Sequence, residues 1–470
     1  MQSSRTGARR AALLVVSAAL AGCATVSKDA AVAPVQNIVQ ERLGAGASLP
    51  SSPDAAQASD EVQRLLAQPL SPDAAVQVAL LDHPAVRASL AELGIAAADL
   101  VQAGRLANPR FVFGSKRNAD GVTIDRTLLF NVMSLVVLPL RRDVAAQALE
   151  AAQWRAAAGI LARAGAVRRA WYEAVAAQQR AGYFEEVKSA ADASAELARR
   201  MAAAGNLSAL AQMREQAFQA EAETQLAKAR QAALVGRERL TRLLGLADPG
   251  AFTLPPRLPD LVAVPADPGD VERIALERRL DIRLAKRNTA EVAASLGLLR
   301  ATRFVNVLDA GYANESETGA PRKNGYEIEI EVPLFDWGDA RIARAEAIYM
   351  QSVSRTAEVA LAARSEVRER LAAYRASYEV ARGYRDVVLP LRKRIADENV
   401  LRYNAMLIGV FELLADAREQ IAAVTVSIDA LRDFWVADTD LQLALHAVSP
   451  GDARPAASPS VAADRAAAHR

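Results

Sequence analysis

Long helices are the first structure that the hydrophobic positions of this 470-residue chain predict. From Asp143 to about Ala203 there is no proline, and apolar residues recur every seven positions from Ile160 to Ala181. This imperfect heptad pattern predicts a coiled-coil helix of roughly 60 residues, about 90 Å long. No compact globular domain needs a helix of that length.

A second proline-poor stretch begins at Asp339 and ends at about Asn404, with Gly383 and Pro390 as its only interruptions. Proline removes a backbone donor and clashes with the preceding turn, so we expect a kink near Pro390. Each long stretch is followed by a glycine-containing break and a further helical segment. The chain is therefore expected to contain two long helical hairpins.

Two pairs of strands are predicted from alternation with a period of two. The run 326–332 alternates apolar residues with three carboxylates, which therefore share one face of the strand. We expect it to pair with the run 303–312 through the polar loop 314–324. In the first half of the chain, the runs 110–115 and 122–137 correspond to these two. The three carboxylates belong to Glu327, Glu329 and Glu331.

The order of these signals occurs twice, which predicts a duplicated architecture. The repeats span 71–245 and 270–447, and each begins with a helical stretch of about 35 residues. Six prolines mark the segment 246–269 between them as a linker. The arm 23–70 and the tail 448–470, which is rich in proline, alanine and serine, are expected to be irregular and disordered, respectively.

The N-terminus has the features of a secretory signal. Residues 1–22 combine a basic start with an apolar stretch that is too short to span a bilayer. The stretch ends in Leu-Ala-Gly-Cys, which resembles the lipobox of bacterial lipoproteins. That resemblance implies lipidation, such as palmitate, on Cys23, and the following Ala24 favours the outer membrane.

Composition argues against several other classes of protein. The 57 basic and 55 acidic residues nearly balance, whereas a nucleic-acid-binding protein would carry a basic excess. One cysteine and three histidines leave little material for a metal centre. No catalytic or nucleotide-binding motif is present. The sequence therefore predicts a protein that is not an enzyme and that needs no cofactor or metal.

Four strands are too few to close a membrane barrel, and open sheet edges are not tolerated in lipid. No later run of the chain reaches the roughly 18 apolar residues of a membrane-spanning helix. If the strands enter a bilayer, several chains must therefore combine to close the sheet.

Four segments of the chain resemble the TolC-like outer membrane efflux protein family, and specifically its lipoprotein branch. They are the strand-to-helix junction 332–338, the hairpin breaks 204–208 and 408–414, and the end of the first repeat at 240–245. The junction 138–143 departs from the family's pattern because it lacks the aromatic residue and the glycine.

This resemblance implies a mainly α fold with a small membrane β-barrel part. Three chains would each give four strands to a shared 12-stranded β-barrel, and the coiled-coil hairpins would form a periplasmic α-barrel. The implied function is an outer membrane exit duct that passively exports cargo. The implied partners are a periplasmic adaptor (membrane fusion) protein and an inner-membrane pump of the resistance-nodulation-division type. Heavy-metal cations, drugs and polypeptides all stay open as cargo.

The resemblance also suggests functional residues. One set would contact the adaptor at the periplasmic tip, a second would form an acidic gate, and a third would line the barrel lumen. The tip residues are Gly205, Asn206, Leu207, Ser208, Gly409 and Val410. The gate residues are Glu412 and Asp416, and the lumen residues are Glu327, Glu329 and Glu331. Glycine suits the tips because it adopts a positive φ at low cost.

Two other interpretations stay open from the sequence. A periplasmic adaptor is also a lipoprotein with a helical hairpin, but it would show one hairpin and sheet-rich flanking domains. A lipid-anchored coiled-coil scaffold without a pore would explain the helices and the anchor. It would not explain strand pairs at matching places in both repeats.

Overall fold

The computed structural model describes residues 28–50, 55–118, 121–304 and 307–447. The signal segment 1–22, Cys23 and the tail 448–470 lie outside these residues. The described residues divide into two compact units, of which the first comprises 28–34, 90–154 and 284–357. The second comprises 35–89, 155–283 and 358–447.

Twelve α-helices and four strands make up the regular structure of the described residues. The helices are α1 (Lys28–Leu43), α2 (Ala55–Leu66), α3 (Pro72–Asp82), α4 (Pro84–Ala103), α5 (Val132–Val136), α6 (Leu138–Ala203), α7 (Ala209–Leu244), α8 (Val271–Arg278), α9 (Leu280–Ala301), α10 (Asp339–Gly383), α11 (Leu389–Asn404) and α12 (Val410–His446). The strands are β1 (Arg110–Asn118), β2 (Gly121–Asn131), β3 (Leu308–Glu317) and β4 (Lys323–Ile330).

The long helices predicted from the sequence are present. Helix α6 has 66 residues and therefore extends about 99 Å. In the second repeat, a π-helical turn at Tyr384–Val388 separates α10 from α11. Pro390 is the second residue after this turn, and a proline at that place cannot donate to the preceding turn. The interruption expected near Pro390 is thus a π turn.

The four strands form one antiparallel sheet in the order β1-β2-β3-β4. Several of the predicted strand limits are wrong, and three corrections change which residues form the strands and their connection. The run 303–312 does not begin as a strand, because α9 continues to Ala301 and β3 starts only at Leu308. The run 122–137 ends as a strand at Asn131, where the Asn131 side chain accepts from the Ser134 N–H and starts α5.

The third correction concerns the polar loop predicted at 314–324. Asn314 and Asn324 are paired residues within β3 and β4, and their side chains share a 2.7 Å hydrogen bond. The true connection is the short turn between Glu317 and Lys323. Cross-strand amide pairs explain why polar residues continue a strand here.

The helical stretch that opens each repeat is two helices rather than one. In the first repeat the break falls at His83, because the residue before a proline avoids the helical region. In the second repeat it falls at Arg279, which has nearly the same extended backbone angles. The arm 23–70 also contains regular structure, namely α1 and α2.

The second unit has a well-packed core. Its aromatic centre is Phe434, which packs against Tyr374 and Tyr378. The proline-rich segment 246–269 belongs to the second unit, and its Phe252 and Leu258 are buried. This linker therefore contributes buried side chains to the packing of the unit.

Candidate functional site

The sheet has one apolar and one polar face, as its register requires. Phe111, Leu128, Tyr312 and Tyr326 are direct cross-strand neighbours and form one row across all four strands. All four side chains are exposed, and Tyr326 retains 86% of its accessible surface. An exposed apolar row of this kind marks a surface that another apolar phase or molecule covers.

The opposite face carries charged side chains. Glu327 and Glu329 lie on it, as the alternation predicts, and both are exposed. Arg110 donates from Nη2 to Asp309 Oδ2 at 3.1 Å and to Glu329 Oε2 at 3.3 Å. These bonds connect β1 with β3 and β4 across the polar face. Glu331 lies beyond the end of β4, where its N–H donates to the Val307 carbonyl at 3.4 Å.

Both edges of the sheet are open in the described part of the chain. Strand β1 pairs only with β2, and strand β4 pairs only with β3. The outward backbone N–H and C=O groups of β1 and β4 are thus available to another strand.

The first hairpin turns between α6 and α7. Gly205 has φ = 74°, and the Asn206 N–H donates to the Met201 carbonyl at 2.8 Å. This bond across the end of the helix satisfies a carbonyl that would otherwise lack a partner. Ser208 then caps α7, because its hydroxyl accepts from the Ala211 N–H at 3.2 Å. The predicted tip residues 205–208 therefore do form the turn.

The second hairpin turns between α11 and α12, and here one prediction is wrong. Gly409 has φ = −82°, so it does not supply the positive φ expected of it. Met406 does, with φ = 59°, and the Leu407 N–H donates to the Arg402 carbonyl at 2.9 Å. Gly409 stands at the cap position of α12 and makes no side-chain hydrogen bond. Val410 is the first residue of α12.

Two tip residues were missed by the sequence reasoning. Met406 is 93% exposed, and Leu407 is also exposed. A methionine in a left-handed turn gives no signal in the sequence, since glycine is the usual residue there. The signal that existed was positional, because Met406 follows Gly205 by the same 201 residues that separate Gly409 from Ser208.

The two predicted gate carboxylates have different surroundings. Glu412 is exposed in the first turn of α12. Asp416 is half-buried and accepts a hydrogen bond from the amide of Asn399, which is itself buried on α11. Asp416 therefore contributes to contact between the two helices of its own hairpin, whereas Glu412 faces solvent.

A buried charged contact near the tips was also missed. Glu215 is only 2% exposed, and its two carboxylate oxygens accept from Ser194 Oγ at 2.8 Å and Arg418 Nη2 at 3.0 Å. The Arg418 guanidinium also lies 4.3 Å from the ring centre of Phe218. This contact joins α12 of the second repeat to the first hairpin. Glutamate and arginine are common helix residues, so nothing in their identity or spacing singles them out.

Charges at the end of the first hairpin are paired locally. Hydrogen bonds from Arg199 and Arg200 hold the pKa of Glu196 below its ordinary value. The Lys188 ammonium acts likewise on the pKa of Asp192. These carboxylates stay ionised, and their neighbouring cations balance them.

The described residues hold no group of three or more histidine, cysteine, aspartate and glutamate side chains arranged to bind a metal ion. None of the described helices has both the length and the apolar character needed to cross a membrane.

Comparison with known proteins identifies the fold. No protein-family model and no curated protein sequence matches the chain. The structure is similar to the CmeC outer membrane channel of Campylobacter jejuni, with a TM-score of 0.70 and 14% identity over 86% of this chain and 90% of that one. A membrane protein from Pseudomonas aeruginosa matches with a TM-score of 0.69 and 20% identity over 82% and 92% of the two chains. The open state of the MtrE outer membrane channel of Neisseria gonorrhoeae matches with a TM-score of 0.66 and 16% identity over 83% and 90%.

The chain therefore has the fold of the TolC-like outer membrane channels. This confirms the fold predicted from the sequence, a mainly helical chain with a small four-stranded sheet. The printed names of several of these similar structures describe outer membrane channels.

Proposed function

We propose that the protein is the outer membrane exit duct of a tripartite efflux system. The observation that carries this proposal is the four-stranded sheet, with its exposed apolar face, its charged face and its two open edges. Such a sheet suits a bilayer only when its edges are paired. The fold it shares with outer membrane channels supports the same conclusion.

Three copies would complete the barrel. If β4 of one copy pairs with β1 of the next, three four-stranded sheets give twelve strands and leave no edge. The row from Phe111 to Tyr326 then faces lipid, and Arg110, Glu327 and Glu329 face the water-filled lumen. Carboxylates in that lumen would favour cations over anions.

The hairpin tips would contact the periplasmic adaptor, through which an inner-membrane pump delivers cargo. The residues offered for this contact are Gly205, Asn206, Leu207, Ser208, Gly409 and Val410, together with the exposed Met406 and Leu407. Glu412 would contribute three carboxylates to the entrance of a trimer. Asp416 is the weaker gate candidate, because Asn399 already occupies one of its oxygens.

The remaining parts of the chain are assigned by the sequence. Residues 1–22 would be removed as a signal peptide, and lipid on Cys23 would anchor the arm 23–70 to the outer membrane. The repeats 71–245 and 270–447 would then place most of the protein in the periplasm.

The proposal is tested by recording currents from the purified protein in planar lipid bilayers under a potassium chloride gradient. We expect discrete openings with a cation preference, and we expect the double variant E327Q/E329Q to lower that preference. The matched control is E346Q, whose carboxylate is bonded to Arg300 at 2.6 Å on the helices. Membrane-inserted protein without any conductance would contradict the duct and favour a lipid-anchored scaffold.

A further inference from the structure

Exposed apolar side chains cluster where each strand pair leads into a long helix. After β2, the junction exposes Leu135, Val136 and Leu140. The two residues that follow, Arg141 and Arg142, are exposed as well. The order along the chain is thus an apolar segment and then two cations.

The junction after β4 repeats this order with larger side chains. Val332, Leu334 and Trp337 are exposed, and Phe335 retains 99% of its accessible surface. The exposed Arg344 follows within two turns of α10.

Part of this second junction is held in a fixed geometry. Arg303 donates from Nε to the Trp337 carbonyl at 2.9 Å, and its guanidinium lies 5.0 Å from the ring centre of Phe304. Phe304 in turn packs edge-on against Trp337, with ring centres 6.5 Å apart. Trp337 presents an apolar ring system with one polar N–H, and tryptophan is enriched at membrane–water interfaces.

Several arginines near the two junctions already have polar partners. Arg300 is bonded to Glu346, Arg341 lies 3.7 Å from Asp336, and Arg303 donates to the Trp337 carbonyl. Three others form no salt bridge with the described residues, and we call them the junction arginines. They are Arg141, Arg142 and Arg344.

The cations of the two junctions are all arginines. Neither 132–144 nor 332–346 contains a lysine. Arginine is the cation that binds phosphate oxygens in pairs, and its long apolar stem lets the charged end reach the headgroup level while the stem stays in apolar surroundings. Both apolar segments are continuous in sequence with strands that carry the exposed apolar face. A lipid surface with anionic headgroups matches this combination of apolar segment and adjacent cation.

We propose that the two strand-to-helix junctions bind anionic phospholipid, with Arg141, Arg142 and Arg344 contacting the headgroup phosphates and the neighbouring apolar side chains entering the hydrocarbon. This rests on the proposed function, because it requires the sheet to lie in a bilayer. The binding fixes the depth of the sheet in the membrane.

Spin-labelled lipids test the proposal directly. The full-length protein is reconstituted into phosphatidylcholine membranes, and electron paramagnetic resonance gives the relative association of labelled phosphatidylglycerol and labelled phosphatidylcholine. We expect the wild type to prefer phosphatidylglycerol by about fivefold at each arginine-bearing site. The triple variant R141Q/R142Q/R344Q should lose this preference, and the triple lysine variant should keep most of it.

The matched control is R355Q on the same helix. Arg355 is exposed, forms no salt bridge with the described residues and lies 11 residues after Arg344, about 16 Å further along α10. Its substitution should leave the lipid preference unchanged.

The outcomes separate this inference from the function on which it rests. A wild type that conducts ions but shows no lipid preference, or a triple glutamine variant that retains the preference, overturns the phospholipid site alone. A wild type that neither conducts nor inserts overturns the duct and the site together. A partner protein captured by the junction arginines in place of lipid would also overturn the site.

Discussion

The two hairpin tips have the same backbone and different side chains. In each, the N–H of the third residue past the helix end donates to the carbonyl five residues before it, from Asn206 to Met201 and from Leu407 to Arg402. In the first tip, Gly205 takes the left-handed backbone conformation. In the second tip, Met406 takes it.

The difference makes the second tip the less stable of the two. A side chain in the left-handed region costs about 1–2 kcal/mol. The second tip also lacks the hydroxyl cap that Ser208 gives to the first, since Gly409 makes no side-chain bond. Segments that move in function are drawn from the least stable parts of a structure. If the protein forms the proposed duct, we therefore expect the second hairpin to be the one that moves during opening.

The largest effect on the free energy of unfolding is expected at the contact between Arg418 of the second hairpin and Glu215 of the first. Arg418→Met keeps the apolar contact with Phe218 but leaves Glu215 buried without its cation, which should cost about 3 kcal/mol of unfolding free energy. Urea unfolding followed by circular dichroism measures this loss. Arg392→Met is the control, because its partner Glu419 is exposed and the loss should stay below about 1 kcal/mol. Equal losses of unfolding free energy in the two variants would show that the contact with Glu215 does not stabilise the second hairpin.

The next effect concerns the glycine of the first tip. Gly205→Ala should destabilise the protein by about 1 kcal/mol, since alanine must take a left-handed conformation. Gly182→Ala is a matched control within α6, and an added methyl meets no atom within 4 Å at either glycine. In the helix the same change should stabilise by about 0.5 kcal/mol. If both variants change the stability in the same direction, the backbone conformation does not decide the effect of alanine at these two positions.

The reverse change at the second tip should be stabilising. Met406→Gly relieves the left-handed strain but adds chain entropy to the unfolded state, which leaves a gain of about 0.5 kcal/mol. If the strain assists opening, the variant should also open less often in bilayer recordings. A variant that is less stable than the wild type would mean that the exposed methionine packs in the folded protein.

The smallest effect on stability is expected when the cap residue of each tip is replaced by that of the other. Gly409→Ser should stabilise by a few tenths of a kcal/mol, and Ser208→Gly should destabilise by about the same amount. Thermal midpoints of the two single variants measured side by side check the sign. Shifts in the same direction would show that the caps are not equivalent.

The sequence was sufficient for features set by periodicity and insufficient for features set by single side chains. The long helices and the strand pairs follow from spacing that extends over many residues. The strand ends depend on single contacts instead, such as the Asn131 side chain that starts α5. That signal was readable, because asparagine before a helical turn is a common cap.

The two hairpin tips were located in the sequence by their glycines, and the expected positive φ was correct for one glycine and wrong for the other. Gly205 adopts the positive φ, whereas Gly409 is a helix cap and Met406 adopts the strained angle. Glu215 and Arg418 could not have been found, since their proximity depends on how helices from both repeats pack. Contacts between distant segments leave no local pattern in a single sequence.

The most direct test of the duct is the mass of the protein extracted from outer membranes, measured by light scattering with the contribution of detergent removed. A shared barrel predicts three chains of up to 50.1 kDa each, which gives about 150 kDa plus lipid. A membrane-extracted single chain that stays monomeric across several mild detergents would contradict the account. Its four-stranded sheet would then have open edges, and no duct could form.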